Sequence, residues 1–183
     1  LNIYLDGDLN SGFLRLRNSL RELLDEFSIY ASKDFEYRFI NPSKAKSEEE
    51  RNRTYLQLVE RGMNPTTIYE RDSEGKSIQK IVFPWVEIIT KQDTFAVNLL
   101  KNIPGNSGSE NLNISIENLE FELTDALRIL NADVVKKIAF IEGHGEFPED
   151  YVYDASVAFS RYFQVDRGSL SDDPCVLNDY EAI

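Results

Sequence analysis

The chain has 183 residues, with 20 lysines and arginines against 32 aspartates and glutamates, and its formal net charge is −12. A chain this acidic, with no basic block, predicts no binding to nucleic acid, because it cannot neutralise an extended phosphate backbone. Its 42% hydrophobic and 11% aromatic residues exclude intrinsic disorder, and no apolar run is long enough to cross a bilayer.

The first hundred residues predict alternating strands and helices. A strand over residues 2–6 precedes an amphipathic helix, whose apolar side chains recur at helical spacing over residues 13–27. Alternating aromatic residues over 35–39 predict a second strand, and the acidic run after Ser47 opens a second helix. Four further strands, able to pair antiparallel around a hairpin turn, are predicted at residues 66–69, 78–83, 86–90 and 95–99.

This order of elements predicts a thioredoxin-like α/β domain over residues 1–104. Pro65 lies where such folds place a proline before their antiparallel strands. The sequence leaves both the cis and the trans isomer of the Asn64–Pro65 peptide bond open, and trans is favoured because cis bonds are only about 5% of X-Pro bonds. A thioredoxin enzyme would carry reactive cysteines at the start of its first helix, but residues 8–12 contain none. We therefore predict a thioredoxin-like domain without thiol-disulfide activity.

The second part of the chain begins with a predicted linker over residues 102–110, which combine proline, glycine and small polar residues. Apolar spacing over residues 112–130 then predicts one long helix. The apolar segment 136–141, a helix over 149–162 and a strand from Val165 predict a β-α-β unit. We expect a second domain over residues 105–183. It would contain the long helix and the truncated start of a flavodoxin-like or class I amidotransferase-like doubly wound sheet.

Both ends of the sequence resemble cut ends. The chain begins at Leu1 inside an alternating apolar segment, its only methionine is Met63, and it stops at Ile183 as an apolar strand begins. We therefore expect a fragment of a longer protein, and the lack of a signal peptide or anchor says nothing about the parent protein.

The strongest candidate site follows the apolar segment 136–141. Gly143 and Gly145 flank His144, the only histidine, and Glu142 and Glu146 enclose all three. Ligands bind at the carboxyl ends of strands in open α/β sheets, where glycines allow close approach of the backbone. A histidine between carboxylates can serve as an acid, a base or a metal ligand. The alternative, favoured by residue types alone, is a tight turn whose histidine and glutamates serve only the fold.

Cys175 is the only cysteine, which excludes an intrachain disulfide, a Cys-x-x-Cys redox pair and a multi-cysteine zinc site. Paired with His144 it would resemble the nucleophile of an amidotransferase-like domain. It lies beside Asp172 and Asp173, which disfavour a thiolate, rather than on a sharp strand-to-helix turn. We interpret Cys175 as a passive loop residue, and predict no catalytic residue, no metal and no cofactor.

Six segments of the chain together form a pattern that is similar to one protein family. The stretch Ile-Glu-Gly-His-Gly-Glu is the most specific part of this pattern. The six segments are residues 3–9, 39–42, 62–66, 97–101, 115–123 and 138–146. In this order, over nearly the whole chain, they resemble the gliding-motility-associated ABC transporter protein family of Bacteroidetes, the GldG type.

The resemblance implies an extracytoplasmic module on the periplasmic side of the inner membrane, in a membrane-anchored parent protein, and we predict that this module is non-catalytic. Its implied partners are the permease and ATPase subunits of an ABC transporter. Its implied role is substrate-binding or auxiliary, and Glu142, Gly143, His144, Gly145 and Glu146 are the candidates for contacting a ligand or a partner protein.

Two other classes of function stay open. One is a hydrolase or amidotransferase relic that uses His144 and Glu146, and the other is a purely structural interaction domain. The geometry around His144 separates the classes. An open crevice with convergent hydrogen-bond donors would favour a ligand or catalysis, and a filled turn would favour a structural role.

Overall fold

A computed structural model describes residues 1–31, 35–71, 76–91, 93–131, 136–170 and 177–183. These residues form five helices and nine strands, so the predicted mixed α/β class is confirmed. The chain divides into two compact units, unit 1 (Leu1–Leu130) and unit 2 (Asn131–Ile183). Most of the predicted hairpin turn at 72–76 and the whole environment of Cys175 lie outside the described residues. None of the described helices is both long and apolar enough to span a membrane.

Unit 1 follows the predicted order of elements over the first hundred residues, although the first two strands are shorter than predicted. The elements are β1 (Asn2–Ile3), α1 (Ser11–Tyr30), β2 (Arg38–Phe39), α2 (Glu48–Glu60), β3 (Thr66–Arg71), β4 (Ser77–Val82), β5 (Trp85–Ile89), β6 (Thr94–Asn98), α3 (Gly108–Glu117) and α4 (Leu119–Leu130).

The main sheet of unit 1 has four strands in the order β2-β1-β5-β6. Strand β1 runs parallel to β2 and antiparallel to β5, so that Ile3 lies opposite both Phe39 and Val86. The predicted antiparallel pairing is confirmed for β5 with β6 and for β3 with β4. The β3–β4 hairpin forms a separate two-stranded sheet. Pro65, directly before it, is trans like every described peptide bond.

Helix α1 begins at a side-chain cap and buries one face. The Asn10 side-chain oxygen accepts a hydrogen bond from the Phe13 amide at 2.9 Å, which satisfies one of the free N–H groups at the helix start. Its buried residues are Phe13, Leu16, Leu20 and Leu24. Their spacing places them on one side of the helix, against the sheet.

The core of unit 1 joins the sheet to three helices on one face. Helix α1 contacts α3 and α4, and α4 contacts β6. Side chains from all of these elements form one buried cluster, which includes Ile3, Leu16, Leu20, Val86, Val97, Leu112, Leu119, Leu123 and Ala126. A smaller cluster holds α2 through Leu58, which is buried with Tyr4, Met63 and Phe83.

The division between the units differs from the predicted boundary at residues 102–110. That segment is exposed, as its composition indicates, but its last three residues begin α3 and the chain at its start is hydrogen-bonded to that helix. The Lys101 amide donates to Ser115 Oγ at 2.8 Å, and the Ile103 amide donates to Asn111 Oδ1 at 3.1 Å. Because the apolar faces of α3 and α4 complete the core of unit 1, the predicted domains 1–104 and 105–183 become units of residues 1–130 and 131–183.

The single long helix predicted after the linker is two helices, α3 and α4, interrupted at Asn118. The Asn118 side-chain amide donates to the Ile114 carbonyl at 2.8 Å, and the Asn118 carbonyl accepts from the Glu122 amide at 3.0 Å. Asparagine competes for backbone hydrogen bonds in this way, and it therefore ends one helix and starts the next. The apolar spacing continues across the break and hides it from the sequence pattern.

Unit 2 contains β7 (Lys137–Glu142), α5 (Glu149–Ser160), β8 (Gln164–Ser169) and β9 (Tyr180–Ala182). The three strands are parallel and lie in the order β8-β7-β9, with Ile138 opposite Val165 and Ala182. Helix α5 contacts β8. The predicted β-α-β unit is confirmed, and β9 adds a third parallel strand.

A candidate binding loop after the central strand of unit 2

The five predicted site residues lie together at the carboxyl end of β7. Glu142 is the last residue of that strand, and the loop then leads into α5. Strand β7 is central, with β8 on one side and β9 on the other, so the chain reverses its direction of winding there. The carboxyl end of a strand at such a reversal is the usual ligand-binding edge of an open α/β sheet.

Gly143 and Gly145 have the backbone conformation that the sequence pattern suggests. Their φ angles are +104° and +97°, in the region that side chains rarely adopt. A β-carbon at either position would meet no atom within 4 Å. The requirement for glycine is therefore conformational and does not arise from crowding.

We expect Gly145→Val to lower the free energy of unfolding by about 1–3 kcal/mol, because valine strains a backbone with positive φ. Chemical denaturation of the chain measures this loss. Gly168→Val in β8 is the matched control: Gly168 has no positive φ, its β-carbon would also meet no atom within 4 Å, and valine suits a strand. Equal stabilities of the two variants would contradict the conformational role of Gly145.

Glu146 closes the loop on His144. Its Oε2 accepts a hydrogen bond from the His144 amide at 2.7 Å, and its Oε1 lies 3.3 Å from His144 Nδ1. The backbone N–H groups of His144 and of Glu146 itself donate hydrogen bonds to the Glu146 carboxyl and lower its pKa. The two contacts between Glu146 and His144 restrain the loop, and the His144 ring stays half exposed.

Glu142 is engaged with a residue that the sequence pattern did not single out. Its Oε1 accepts from Arg167 Nη1 at 2.7 Å, and the Arg167 guanidinium lies 5.2 Å from the centre of the Phe140 ring. The parallel register places Phe140 opposite Arg167. Glu142 therefore joins β7 to β8, while His144 and Glu146 face outward.

Two exposed aromatic side chains stand beside the loop and were also missed. Phe147 and Tyr151 are 71% and 78% exposed, and their rings stack with centres 6.0 Å apart. All residues from 143 to 150 are exposed. Small-molecule sites enclose most of their ligand in a concave pocket, so a surface this exposed suits contact with another macromolecule.

A metal site is not found in the part of the chain that the structure describes. No group of three or more His, Cys, Asp or Glu side chains is arranged there to hold an ion. Among the described residues the His144 imidazole pairs with Glu146 alone. Cys175, the nucleophile considered with His144, lies outside those residues.

A separate concavity of about 530 Å³ lies in unit 1 at the starts of α1 and α3. It includes Asn10, the residue directly before α1. Three of its polar side chains already have partners within unit 1. Asn10 caps α1, Arg15 donates to Asn113 at 3.1 Å, and Lys101 pairs with Glu122. We therefore take the loop of unit 2 as the candidate functional site.

Unit 1 also buries a carboxylate whose partners the sequence pattern did not reveal. Glu87 on β5 is only 5% exposed and accepts hydrogen bonds from Asn2 and Tyr4, each at 2.9 Å. Arg61, after α2, pairs with the same carboxylate. Burial by itself raises the pKa of Glu87, but the hydrogen bonds from Asn2 and Tyr4 and the charge of Arg61 together outweigh it and lower the pKa.

The fold and the loop together define a mixed α/β protein of two compact units, with an exposed, hydrogen-bonded loop on the second. Residues 1–89 match a family model described as a domain of unknown function (DUF7088). The match lies within unit 1, and the candidate loop is beyond it. No curated protein and no solved structure matches the chain.

Proposed function

We propose that this chain is a non-catalytic, extracytoplasmic module of an ABC transport system component of the gliding-motility-associated type. In this proposal the module lies on the periplasmic side of the inner membrane and binds a partner protein through the loop 142–146. The observation that carries the proposal is the half-exposed His144 on a loop held by two positive-φ glycines and by Glu146. A loop restrained by such contacts loses less conformational freedom on binding than an unrestrained one.

We propose that unit 1 is thioredoxin-like, which is supported by its sheet order β2-β1-β5-β6, with β1 parallel to β2 and antiparallel to β5. We propose that unit 2 is the start of a flavodoxin-like or amidotransferase-like domain, which is supported by the parallel order β8-β7-β9.

The main alternative, a hydrolase relic, requires a nucleophile next to a positioned base. Among the described residues, the His144 imidazole contacts a carboxylate and no hydroxyl group. A carboxylate orients an imidazole but does not replace a serine or cysteine nucleophile. This arrangement favours binding over catalysis.

The experiment uses the full-length parent protein, tagged and purified from native membranes. We expect transporter permease and ATPase subunits to copurify with it, and His144→Ala to reduce their recovery several-fold. Because the His144 ring is half exposed, the same substitution should change the stability of the purified chain by less than about 0.5 kcal/mol.

Tyr30→Ala is the control, since it removes an exposed ring from unit 1. Its recovery of subunits should equal that of the wild type. Undiminished recovery with His144→Ala would contradict a role of the loop in binding. Hydrolytic turnover by the wild type that His144→Ala abolishes would establish the alternative.

A further inference from the structure

Helix α5 has an outward face that no described residue of unit 2 covers. No residue of the helix is fully buried. Val152, Ala155 and Ser156 are half-buried, and Phe159 contacts Phe140 and Phe163, so these residues form the inner side. The outer face consists of Asp150, Tyr153, Asp154 and Val157, whose spacing places them along one stripe.

This outer face exposes apolar surface next to the candidate loop. Tyr153 is 60% exposed and Val157 is 52% exposed. The stacked pair Phe147–Tyr151 lies at the start of the same helix and is more exposed still. Single exposed apolar residues are ordinary, but a group of them on one element marks an interaction surface.

The charged side chains in the loop and on the first two turns of α5 are acidic, and the exposed Arg161 at the end of the helix is the next basic residue along the chain. From residue 138 to residue 160 the chain has no lysine or arginine. Glu149, Asp150 and Asp154 are exposed, and within the described residues none of them forms an ion pair. Carboxylates in the first turn stabilise a helix through its dipole, which accounts for Glu149 and Asp150. The helix dipole does not account for Asp154 in the second turn, nor for the exposed aromatic rings beside it.

We propose that the outer face of α5, together with the Phe147–Tyr151 stack, docks a segment of a partner protein rich in arginine. An arginine side chain pairs with a carboxylate and also stacks on an aromatic ring, and the two kinds of group alternate on this face. The same charges repel acidic segments. The inference rests on the proposed function in that it names the chemistry of the partner that the module binds.

The first test titrates the purified chain into a short fluorescein-labelled peptide rich in arginine and leucine, followed by fluorescence anisotropy. The test variants are the pair Asp150→Asn with Asp154→Asn, and the single change Tyr153→Ser. The matched control, Glu48→Gln with Glu49→Gln, removes the same charge from the exposed start of α2.

We expect the α5 pair to weaken binding about tenfold, which corresponds to about 1.4 kcal/mol, and the α2 pair to change it less than about twofold. Equal losses of peptide affinity in the α5 pair and the α2 pair would show that net charge alone attracts the peptide, and would overturn the proposal. Failure of the wild-type chain to bind the peptide would also overturn it. Unfolding curves of every variant establish that it is folded. The aspartate pair decides the outcome if Tyr153→Ser does not fold.

The second test carries the same α5 variants in the full-length protein and measures recovery of copurifying subunits. Loss of recovery supports the docking face. If the wild type retains subunits and the α5 variants retain them equally, the docking proposal fails while the proposed function stands. If the wild type retains none, the proposed function fails, and the peptide titration decides the docking proposal alone.

Discussion

We expect residues 1–104, produced alone, to lack a cooperative unfolding transition, whereas residues 1–130 retain one. The shorter piece lacks Leu112, Leu119, Leu123 and Ala126, which are buried in the core of unit 1. Burial of a leucine side chain contributes about 1.5–3 kcal/mol. The combined loss is therefore comparable with the whole stability of a small domain, about 5–15 kcal/mol.

Denaturant titrations followed by circular dichroism and by the fluorescence of Trp85, the only tryptophan, measure this difference. Point variants in the full chain provide a control on the same helix. Leu123→Ala, at a buried site, should cost about 2–5 kcal/mol, whereas Phe121→Ala, at an exposed site, should cost little. A cooperative transition in residues 1–104 would place α3 and α4 outside the folding unit and contradict the core described above.

The second large effect is expected from Glu87→Gln, which should lower the free energy of unfolding by about 2 kcal/mol at neutral pH. The substitution keeps the shape of the side chain but removes the charge that Arg61 pairs with. It also places an amide group among the donors of Asn2 and Tyr4, which leaves hydrogen bonds in a buried cluster unmade.

The pH dependence has a definite sign because the pKa of Glu87 is lowered in the folded chain. A carboxyl group with a depressed folded pKa contributes stability above its unfolded pKa, and this contribution is lost as the pH falls through the folded pKa. We therefore expect the advantage of the wild type over Glu87→Gln to be full at neutral pH. It should shrink on acidification below the ordinary glutamate value of 4.5.

Denaturant titrations at several pH values measure this convergence. Glu60→Gln, an exposed glutamate on α2, is the matched control and should show neither the loss nor the convergence. A constant difference between wild type and Glu87→Gln down to strongly acidic pH would show that the charge of Glu87 does not stabilise unit 1.

The kinds of element were largely predictable because they depend on local spacing. Helix α1 follows directly from apolar residues at helical intervals after the Asn10 cap. The break at Asn118 was not predictable from that spacing, since Leu112, Leu119 and Leu123 continue the same apolar stripe through it. Strands β1 and β2 are shorter than predicted. Alternating apolar residues indicate an extended segment, but they do not show how many of its residues form hydrogen bonds with a neighbouring strand.

The candidate loop was predictable in position, and its surroundings were not. Two glycines around the only histidine indicated a tight turn, and both glycines have positive φ. Arg167 reaches Glu142 only because β7 and β8 pair in parallel register. The exposure of Phe147 and Tyr151 depends on which side of α5 meets the sheet, and aromatic residues in a sequence are as consistent with a core as with a surface.

Composition and local spacing therefore establish the acidic character, the lack of a cysteine at the start of α1 and the order of strands and helices. Only the tertiary structure assigns α3 and α4 to the core of unit 1, joins Arg61 to Glu87, and leaves the outer face of α5 uncovered. The reason is physical. An apolar stripe on a helix indicates that this surface is buried, but it does not indicate which element covers it. That depends on packing between segments that are far apart in the chain.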